Sequence, residues 1–282
     1  MARPLVFIGF GEAGQAFARS GARAFDRKTA DPATAAAKHA DYHAAGVTGC
    51  ATAAEALDGT DAAVSLVTAD QALAAARTAA ALLAPGALWL DMNSVAPGTK
   101  RAAAEAVEAA GGRYVDVAVM SPVLPGRLGV PLLVAGPHAQ AAVAVLEAHG
   151  FTEVALAGPT VGDASAIKMI RSVMVKGIEA LSAECILAAH RAGVADAVLA
   201  SLDASWKPQG WSARVDYNLD RMMAHGLRRA AEMEEVAATL EALGVEPAMT
   251  RGTIRRQRAI GDLSLPAPDG LAAKLAALGD CA

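Results

Sequence analysis

Three glycines near the start of the chain have the spacing of a nucleotide-binding turn. They lie in the segment GFGEAG, residues 9–14, which follows the apolar run LVFI and precedes the helix-forming stretch QAFARS. In such a strand–turn–helix unit the first glycine forms the tight bend, the second lets the backbone approach a pyrophosphate, and the third lets helix and strand pack closely. The alternative is an ordinary glycine turn without a ligand. The residues that we predict to bind a dinucleotide here are Gly9, Phe10, Gly11, Glu12, Ala13 and Gly14.

Charged residues at the end of the second strand-like run bear on the choice of dinucleotide. Asp26 ends the run RAFD, close to the position about 20 residues past the first glycine where an acid accepts hydrogen bonds from a ribose 2'-hydroxyl. A carboxylate there favours NAD, because it repels the 2'-phosphate of NADP. Arg27 and Lys28 favour NADP, since two cations can hold that phosphate, although a solvated charged turn explains them too. We expect NAD or NADP with a slight preference for NAD. To the cofactor-binding residues we add Thr68, at the end of AAVSLVT, and Asn93, directly after ALWLDM.

A lysine and several short polar side chains form the candidate catalytic set. Lys168 lies near the start of the helical stretch GDASAIKMIRS, with Ser172 and Glu179 on the same helix face. By position alone, such a lysine is usually a solvated side chain. Asn93 follows the run ALWLDM and so emerges at the carboxyl end of a strand, where open α/β folds bind ligands. An N-cap or Asx turn before the next helix also explains Asn93 and Ser94.

The elements that must position these residues alternate over the first half of the chain. Short β-branched runs are separated by alanine-rich helical stretches, which predicts a parallel sheet with helices on both faces. The strand-like runs are residues 5–9, 23–26, 62–68, 87–92, 113–119 and 132–136.

From Gly162 onward the pattern is typical of helices alone. Residues 162–194 predict one long helix, and further helices are predicted at 194–205, 227–244 and 249–261, with turn signals at Pro208, Gly226, Gly244 and Pro247. We therefore predict an α/β fold. We predict that residues 1–160 form a Rossmann dinucleotide-binding domain with a mainly parallel sheet. We predict that residues 161–282 form an all-α substrate and dimerisation domain, joined to the first by a long interdomain helix.

Composition argues against several classes of partner. The formal net charge of -4 provides no broad positive field for nucleic acid or anionic lipid. Cys50, Cys185 and Cys281 are far apart and indicate neither a disulfide framework nor a zinc site. The N-terminal apolar run meets glycines at once, unlike a signal peptide, and alanine-rich stretches stay short of the about 20 apolar residues of a membrane span. We expect a cytoplasmic protein with a small-molecule substrate.

Three segments resemble, in the same order, the 3-hydroxyacid dehydrogenases related to 6-phosphogluconate dehydrogenase. They are GFGEAG at 9–14, DMNSVAP at 91–97 and GDASAIKMIRS at 162–172, and a looser match covers DVAVMSPVLPGRLGVPLLVAG at 116–136. In that family a lysine on a long interdomain helix takes the proton of the substrate hydroxyl as hydride leaves for a nicotinamide. The resemblance implies this role for Lys168. It implies that Ser121, Asn93 and Ser172 position the substrate.

The chain departs from the family pattern at three places. Ser172 stands where the family usually has asparagine, and Val175 replaces a glutamate of 6-phosphogluconate dehydrogenase, so we exclude 6-phosphogluconate as substrate. Ser121 is followed by Pro-Val at 122–123 instead of glycines, which removes an amide donor from the family's carboxylate-binding loop. Arg127 is a candidate to bind the substrate carboxylate in place of that donor. The alternative is an ordinary arginine in a surface turn. These departures predict a substrate that is bulkier than, or differently charged from, a simple 3-hydroxyacid.

The C-terminal stretch resembles the C-terminal domain of uncharacterised relatives of phosphogluconate dehydrogenase. Arg228 and Glu232 have i,i+4 spacing, so an exposed ion pair is the default expectation. The alternative is that Arg228 and Arg229 recognise an anion, because guanidinium groups suit carboxylates and phosphates. Apolar helix faces such as residues 237–243 predict a homodimer that is joined through the helical half.

These observations predict an NAD(P)-dependent dehydrogenase or reductase that acts on a hydroxyacid-like alcohol or its carbonyl compound. Two alternatives stay open. One is an imine reductase of the same fold, which the retention of Lys168 disfavours, because imine reductases resemble the family with that lysine replaced. The other is a dinucleotide-binding protein without catalytic activity.

Overall fold

The computed structural model describes residues 5–205 and 210–279, apart from the side chains at positions 179, 232, 235, 238 and 242. The chain divides into two compact units, Met1–Val173 and Met174–Ala282. The division lies further along the chain than residue 160, the boundary proposed from the sequence, because one long helix begins in the first unit and continues into the second.

An eight-stranded sheet forms the centre of the first unit. Its strands are β1 (Val6–Ile8), β2 (Arg23–Phe25), β3 (Thr48–Gly49), β4 (Ala62–Ser65), β5 (Leu88–Asp91), β6 (Arg113–Val119), β7 (Leu132–Ala135) and β8 (Val154–Gly158). The order across the sheet is β3-β2-β1-β4-β5-β6-β7-β8. All neighbours pair in parallel except β6 and β7, which are antiparallel. The predicted α/β class and mainly parallel sheet are thus confirmed.

Alternation along the central strands places apolar side chains on both faces of the sheet. Phe7 and Leu90 belong to one buried cluster, and Ile8 and Trp89 belong to another. Successive strand residues point to opposite faces, so a strand that is covered on both sides reads as a continuous apolar run. The helices α1 (Glu12–Phe17), α2 (Ala35–Ala44), α3 (Ala53–Leu57), α4 (Ala72–Ala80), α5 (Pro97–Ala109) and α6 (Ala139–Ala148) connect the strands.

Helices make up the described part of the second unit. α7 (Asp163–Arg191) enters it from the first unit and is followed by α8 (Ala195–Ser205), α9 (Trp211–Ala242), α10 (Ala248–Asp262) and α11 (Leu271–Gly279). The predicted long helix is therefore confirmed. Across the described residues 5–205 and 210–279, no helix combines the length and the hydropathy that a membrane crossing requires.

The expected turn at Gly226 is wrong, because α9 continues through it. A Cβ on Gly226 would lie 2.4 Å from the carbonyl oxygen of Gln257 and 2.9 Å from the Cα of Gly261. This glycine is required for the close approach of α9 and α10, not for a break in the helix. The expected turn at Pro208 lies outside the described residues, as does Cys281.

Candidate active site

The three glycines of the turn after β1 have three different surroundings. Gly9 has a φ of +89°, and a Cβ there would lie 2.4 Å from the carbonyl oxygen of Leu66. A Cβ on Gly14 would lie 2.9 Å from the carbonyl oxygen of Gly9. A Cβ on Gly11 would meet no protein atom within 4 Å. Gly9 and Gly14 are therefore required by the packing of the protein itself, whereas the absence of a side chain at Gly11 leaves space for a ligand.

The backbone N–H and carbonyl groups of Phe10 both have side-chain partners. Its N–H donates to Asp26 Oδ2 at 2.8 Å, and its carbonyl accepts from Lys38 Nζ, also at 2.8 Å. The Phe10 ring is fully buried and packs on Tyr42 at a centroid distance of 5.1 Å. Phe10 thus fixes the orientation of the turn and does not line either cavity described below. Lys38 was missed from the sequence because it lies in an alanine-rich helix with no motif around it.

A cavity of about 410 Å³ opens at the carboxyl ends of β1, β2 and β4. The predicted cofactor-binding residues that line it are Gly9, Gly11, Asp26, Arg27, Lys28 and Thr68. This is the edge of a parallel sheet where nucleotides bind in open α/β folds. The residues present fit a dinucleotide, because the space over Gly11 is the one that a pyrophosphate requires and a Cβ would fill.

Asp26 has backbone partners that the sequence did not reveal. Besides accepting from Phe10, its carboxylate accepts from the N–H of Lys28 at 3.0 Å. The Asp26 N–H donates to the Tyr42 hydroxyl at 2.9 Å. Arg27 and Lys28 are exposed in the same cavity. The carboxylate therefore holds the turn together, while its charge and the two cations remain at the place where a 2'-hydroxyl or 2'-phosphate would lie.

A second cavity, of about 430 Å³, adjoins the first, since Leu66 and Val67 line both. The residues that line it include five of those predicted from the sequence: Glu12, Ala13, Asn93, Ser121 and Lys168. Its other lining residues are Leu66, Val67, Ala69, Met92, Ser94, Val119, Pro122 and Val123. The structure thus brings the glycine turn and the candidate catalytic residues to one place in the first unit.

Lys168 and Ser94 form the central polar contact of this second cavity. Lys168 Nζ donates to Ser94 Oγ at 2.6 Å across a sequence separation of 74 residues. Lys168 is half-buried in the first turns of α7, and Ser94 is exposed after β5. A lysine amine next to a serine hydroxyl, on a cavity beside a dinucleotide turn, can exchange a proton with a ligand alcohol or carbonyl.

Asn93 connects the ends of β4 and β5. Its Oδ1 accepts from the N–H of Val67 at 2.7 Å, and its Nδ2 donates to Ser65 Oγ at 2.9 Å. The side chain is buried, with 5% of its surface exposed. Neither Asn93 nor Ser94 is an N-cap, because α5 begins at Pro97 with Ala96 in the cap position. Asn93 therefore shapes the wall between the two cavities.

Two predicted site residues lie apart from the second cavity's lining. Ser172 Oγ donates to the carbonyl oxygen of Lys168 at 2.8 Å, a bond to the preceding helical turn. Arg127 is exposed at the start of a 3₁₀ turn, with a φ of 49°. Ser121 does line the cavity, and its hydroxyl donates to the carbonyl oxygen of Pro122 at 3.3 Å.

A buried ion cluster, defined here as Asp91, Lys100 and Asp116, joins the last residue of β5 and the middle of β6 to α5. Lys100 Nζ is 3.0 Å from Asp91 Oδ1 and 3.4 Å from Asp116 Oδ1, and all three residues have 0% of their surface exposed. Tyr114 donates to Asp91 Oδ2 at 2.7 Å. Burial, together with the charge of Asp91, raises the pKa of Tyr114 above its ordinary value and keeps this donor protonated.

Sequence reasoning missed this cluster, although a signal was present. Asp91 and Asp116 each lie between apolar residues, in the runs LWLDM and YVDVAV, which is typical of a buried and paired charge. Lys100 was not recognised because a helix lysine is usually solvated. In the second unit, the expected Arg228–Glu232 pair involves a Glu232 side chain that lies outside the described residues, and Arg228 is exposed.

Comparison with protein families agrees with this geometry. Residues 4–176 match the family described as the NAD binding domain of 6-phosphogluconate dehydrogenase, a match that takes in more than half of the chain. The chain belongs to this family. Membership in the 6-phosphogluconate dehydrogenase NAD-binding family confirms the predicted resemblance and the Rossmann-type domain. It also makes the chain a member of a nicotinamide-dependent oxidoreductase family. Residues 189–260 match a domain of unknown function, DUF1932.

Several solved structures are similar to this chain over most of its length. A conserved hypothetical protein from Sinorhizobium meliloti 1021 is 36% identical, with 99% of this chain and 97% of that chain covered and a TM-score of 0.61. The conserved protein MTH1747 of unknown function, described as structurally similar to 3-hydroxyacid dehydrogenases, is 28% identical, with 94% and 99% covered and a TM-score of 0.58. An imine reductase from Streptomyces aurantiacus, 20% identical with 98% and 99% covered and a TM-score of 0.71, shares the fold.

One further relative matches this chain over only part of its length. The uncharacterised 28.5 kDa protein in the 7S RNA 5' region of Methanothermus fervidus is 25% identical over 169 residues. These residues span 59% of this chain and 63% of that protein.

Proposed function

We propose that this protein transfers a hydride between NAD(P) and a hydroxyacid-like alcohol or the corresponding carbonyl compound, with Lys168 as general acid and base. The contact between Lys168 Nζ and Ser94 Oγ, at a cavity that adjoins the glycine turn, is the observation that carries the proposal. A helix lysine that is only solvated would not make a specific hydrogen bond to a distant serine beside the first cavity.

The proton of the substrate hydroxyl passes to Lys168 in the oxidative direction. A nicotinamide cofactor held at the first cavity would supply the hydride acceptor for oxidation and the hydride donor for reduction. The neutral amine of Lys168 accepts the hydroxyl proton and becomes an ammonium as the carbon–hydrogen bond breaks, so that the hydride and the proton together account for the two hydrogens lost. In reduction Lys168 returns the proton to the carbonyl oxygen. Ser94 keeps Nζ at the cavity surface and is a second hydrogen-bonding group for the substrate oxygen.

The lining of the second cavity supports a substrate with an apolar part. Met92, Val119 and Val123 contribute apolar side chains, and Ser121 contributes an exposed hydroxyl. Pro122 has no N–H to donate. We therefore propose a substrate that is bulkier than a simple 3-hydroxyacid and is held by hydroxyl groups rather than by a row of amides.

For the cofactor, the surroundings of Asp26 support both dinucleotides. Its carboxylate repels a 2'-phosphate, and exposed Arg27 and Lys28 attract one. We propose that both cofactors bind, with NAD slightly preferred.

Imine reduction is the second candidate function. The cavity offers few charged partners for a carboxylate, and the fold is shared with an imine reductase at a TM-score of 0.71. An imine substrate does not need to carry a carboxylate, so a cavity with few charged residues suits it. In that reaction Lys168 would protonate the substrate nitrogen.

A substrate panel distinguishes these functions. Purified protein is incubated with NAD and a series of hydroxyacids and alcohols, and with NADH or NADPH and the matching carbonyl compounds and cyclic imines, while the absorbance of reduced cofactor is followed. We expect turnover of alcohol and carbonyl pairs. Turnover of imines alone would establish the second candidate. Cofactor binding without any turnover would mean a dinucleotide-binding protein that is not an enzyme.

A homodimer is supported by the surface of the helical unit. α8 has no buried residue, and its Leu199 and Leu202 are 48% and 45% exposed. Leu181 and Leu187 of α7 are 45% and 51% exposed. Apolar helices of this kind are covered in stable proteins. We propose that a second copy of this chain covers them.

A further inference from the structure

The Lys168–Ser94 contact joins two segments that are far apart in the chain. Ser94 lies in the loop after β5, and Lys168 lies at the start of α7, so their separation depends on how each segment is anchored. A shift of about 1 Å between reacting groups can lower a rate about a hundredfold. The anchoring of both segments therefore matters for any reaction at Lys168.

One side of the buried ion cluster anchors the Ser94 loop. Asp91 Oδ1 accepts from the N–H of Asn93 at 2.9 Å, directly before Ser94. Asp91 is itself held by Lys100, whose Nζ donates to the Asp91 backbone carbonyl at 2.5 Å as well as to its carboxylate. The loop that carries Ser94 thus begins at a residue bound to Lys100.

The other side of the cluster anchors the start of α7. Asp116 Oδ2 accepts from the N–H of Gly162 at 3.1 Å, and from the N–H and hydroxyl of Ser165 at 3.0 Å each. A carboxylate that accepts the first N–H groups of a helix caps it and is favoured by the helix dipole. Lys168 lies one helical turn past Ser165. Asp116 Oδ1 faces Lys100.

We propose that Lys100 is a positioning residue for Lys168: by pairing with Asp91 and Asp116 at once, it sets the distance between the Ser94 loop and the start of α7. This inference rests on the proposed function of Lys168. A buried ion cluster of this kind is a poor source of stability, because desolvation of the charges offsets their attraction. Its geometry, in contrast, links both members of the Lys168–Ser94 pair to one ammonium group.

The test needs a variant that removes the link and still folds. Lys100→Met alone would leave two buried carboxylates without a cation. The double variant Lys100→Met/Asp116→Asn keeps the net buried charge unchanged, since one negative and one positive charge are removed together. Ser165→Ala is a milder change that deletes one donor to Asp116.

Thr60→Val is the matched control. Thr60 is buried, and its hydroxyl donates to the carbonyl oxygen of Ala62 at 2.9 Å. The variant removes one buried hydroxyl, as Ser165→Ala does, and with it also the bond that this hydroxyl accepts from the N–H of Ala62 at 3.3 Å. Thr60 lies just before β4, at the amino-terminal ends of the parallel strands and so at the opposite end from the cavities. It therefore reports what a general loss of stability does to the measured quantities.

Two measurements are made on each variant. The first is kcat with the substrate that the panel identifies, together with the Kd for the cofactor by calorimetry. The second does not depend on turnover: the amine of Lys168 is acetylated with limiting acetic anhydride, and its labelling is compared by mass spectrometry with that of Lys176, an exposed lysine of α7.

We expect the double variant to lose about tenfold to a hundredfold in kcat and to keep its cofactor affinity. Its Lys168 should be labelled several-fold faster relative to Lys176, because the amine is no longer held against Ser94. In Ser165→Ala, kcat should fall and the relative labelling of Lys168 should rise, each by less than in the double variant. In Thr60→Val neither should change.

Unchanged Lys168 labelling in a folded double variant, or in Ser165→Ala if the double variant does not fold, would overturn the inference. Equal effects in Ser165→Ala and Thr60→Val would overturn it too. Altered labelling in a protein whose turnover survives Lys168→Met would instead refute the proposed role of Lys168 and leave the positioning intact.

Discussion

Substitution of the glycines in the turn after β1 separates cofactor binding from folding. Gly11 has a φ of -84° and a ψ of -155°, a nearly extended conformation outside the left-handed region that favours glycine. Its missing Cβ points into open space. Gly11→Val should therefore leave the free energy of unfolding within about 1 kcal/mol of wild type, while its side chain occupies the space that the pyrophosphate needs.

Gly9→Ala is the opposite case. The φ of +89° costs about 1–2 kcal/mol for a residue with a side chain. The new Cβ would also lie 2.4 Å from the carbonyl oxygen of Leu66, so that β1 or β4 must shift. Since 1 kcal/mol corresponds to about 2–4 °C in a chain of this size, we expect the Tm of Gly9→Ala to fall by several degrees or more.

The two variants are compared by thermal unfolding and by calorimetric titration with NADH. Gly11→Val should bind at least about 100-fold more weakly, a loss of about 2.7 kcal/mol, with a Tm close to that of wild type. Wild-type affinity in Gly11→Val would refute the assignment of this turn to the pyrophosphate. A large fall in its Tm would refute the conclusion that the space at Gly11 belongs to the ligand.

Three further outcomes are expected. Asp26→Asn should move the ratio of kcat/KM toward NADP, because repulsion of the 2'-phosphate is removed, and a strong wild-type preference for NADP would contradict this. Light scattering should give a dimer mass at micromolar concentration, whereas a monomer would leave the exposed leucines of α8 unexplained. Burial opposes ionisation of Glu184, but hydrogen bonds from Thr250 and the N–H of Met249 outweigh it and lower its pKa. Glu184→Gln should therefore cost about 1–3 kcal/mol in the free energy of unfolding at neutral pH. Because its pKa is lowered, the ionised carboxylate of Glu184 stabilises the fold at pH values above the ordinary glutamate pKa. The cost of Glu184→Gln should therefore shrink as pH falls below about 4. An equal cost at pH 3 and pH 7 would contradict the ionised state.

The sheet was predictable where its strands are covered on both faces. The apolar runs around Phe7 and Leu90 led to the central strands, whereas β3 and β8, at the two edges of the sheet, were missed. β3 has only two residues, and β8 is the short apolar run VALAG, which periodicity alone does not distinguish from part of a helix. Gly226 was wrongly predicted as a turn, because the contact that requires a glycine there is made with α10, which lies elsewhere in the sequence.

Local motifs located the candidate site, but not the contacts that hold it. Lys168 and Asn93 were found from segments whose spacing is known in a family. Apart from Lys28, the partners of Asp26 and Lys100 lie on other segments of the chain, and periodicity contains no information on such pairs. Ser172 shows the same limit in a short-range contact, since its hydroxyl bonds to its own helix backbone and not to the cavity.

The central claim is that Lys168 transfers the proton, and Lys168→Met tests it most directly. The variant keeps the aliphatic stem and deletes the amine, and Lys176→Met removes an exposed lysine from the same helix as a control. With the substrate from the panel, kcat of Lys168→Met should fall about 100- to 10,000-fold. The loss should not recover at high substrate concentration, and the Kd for the cofactor should stay near wild type. Lys176→Met should keep its activity. A Lys168→Met variant that retains more than about a tenth of the wild-type kcat, well short of the loss expected for a general acid or base, would contradict the claim.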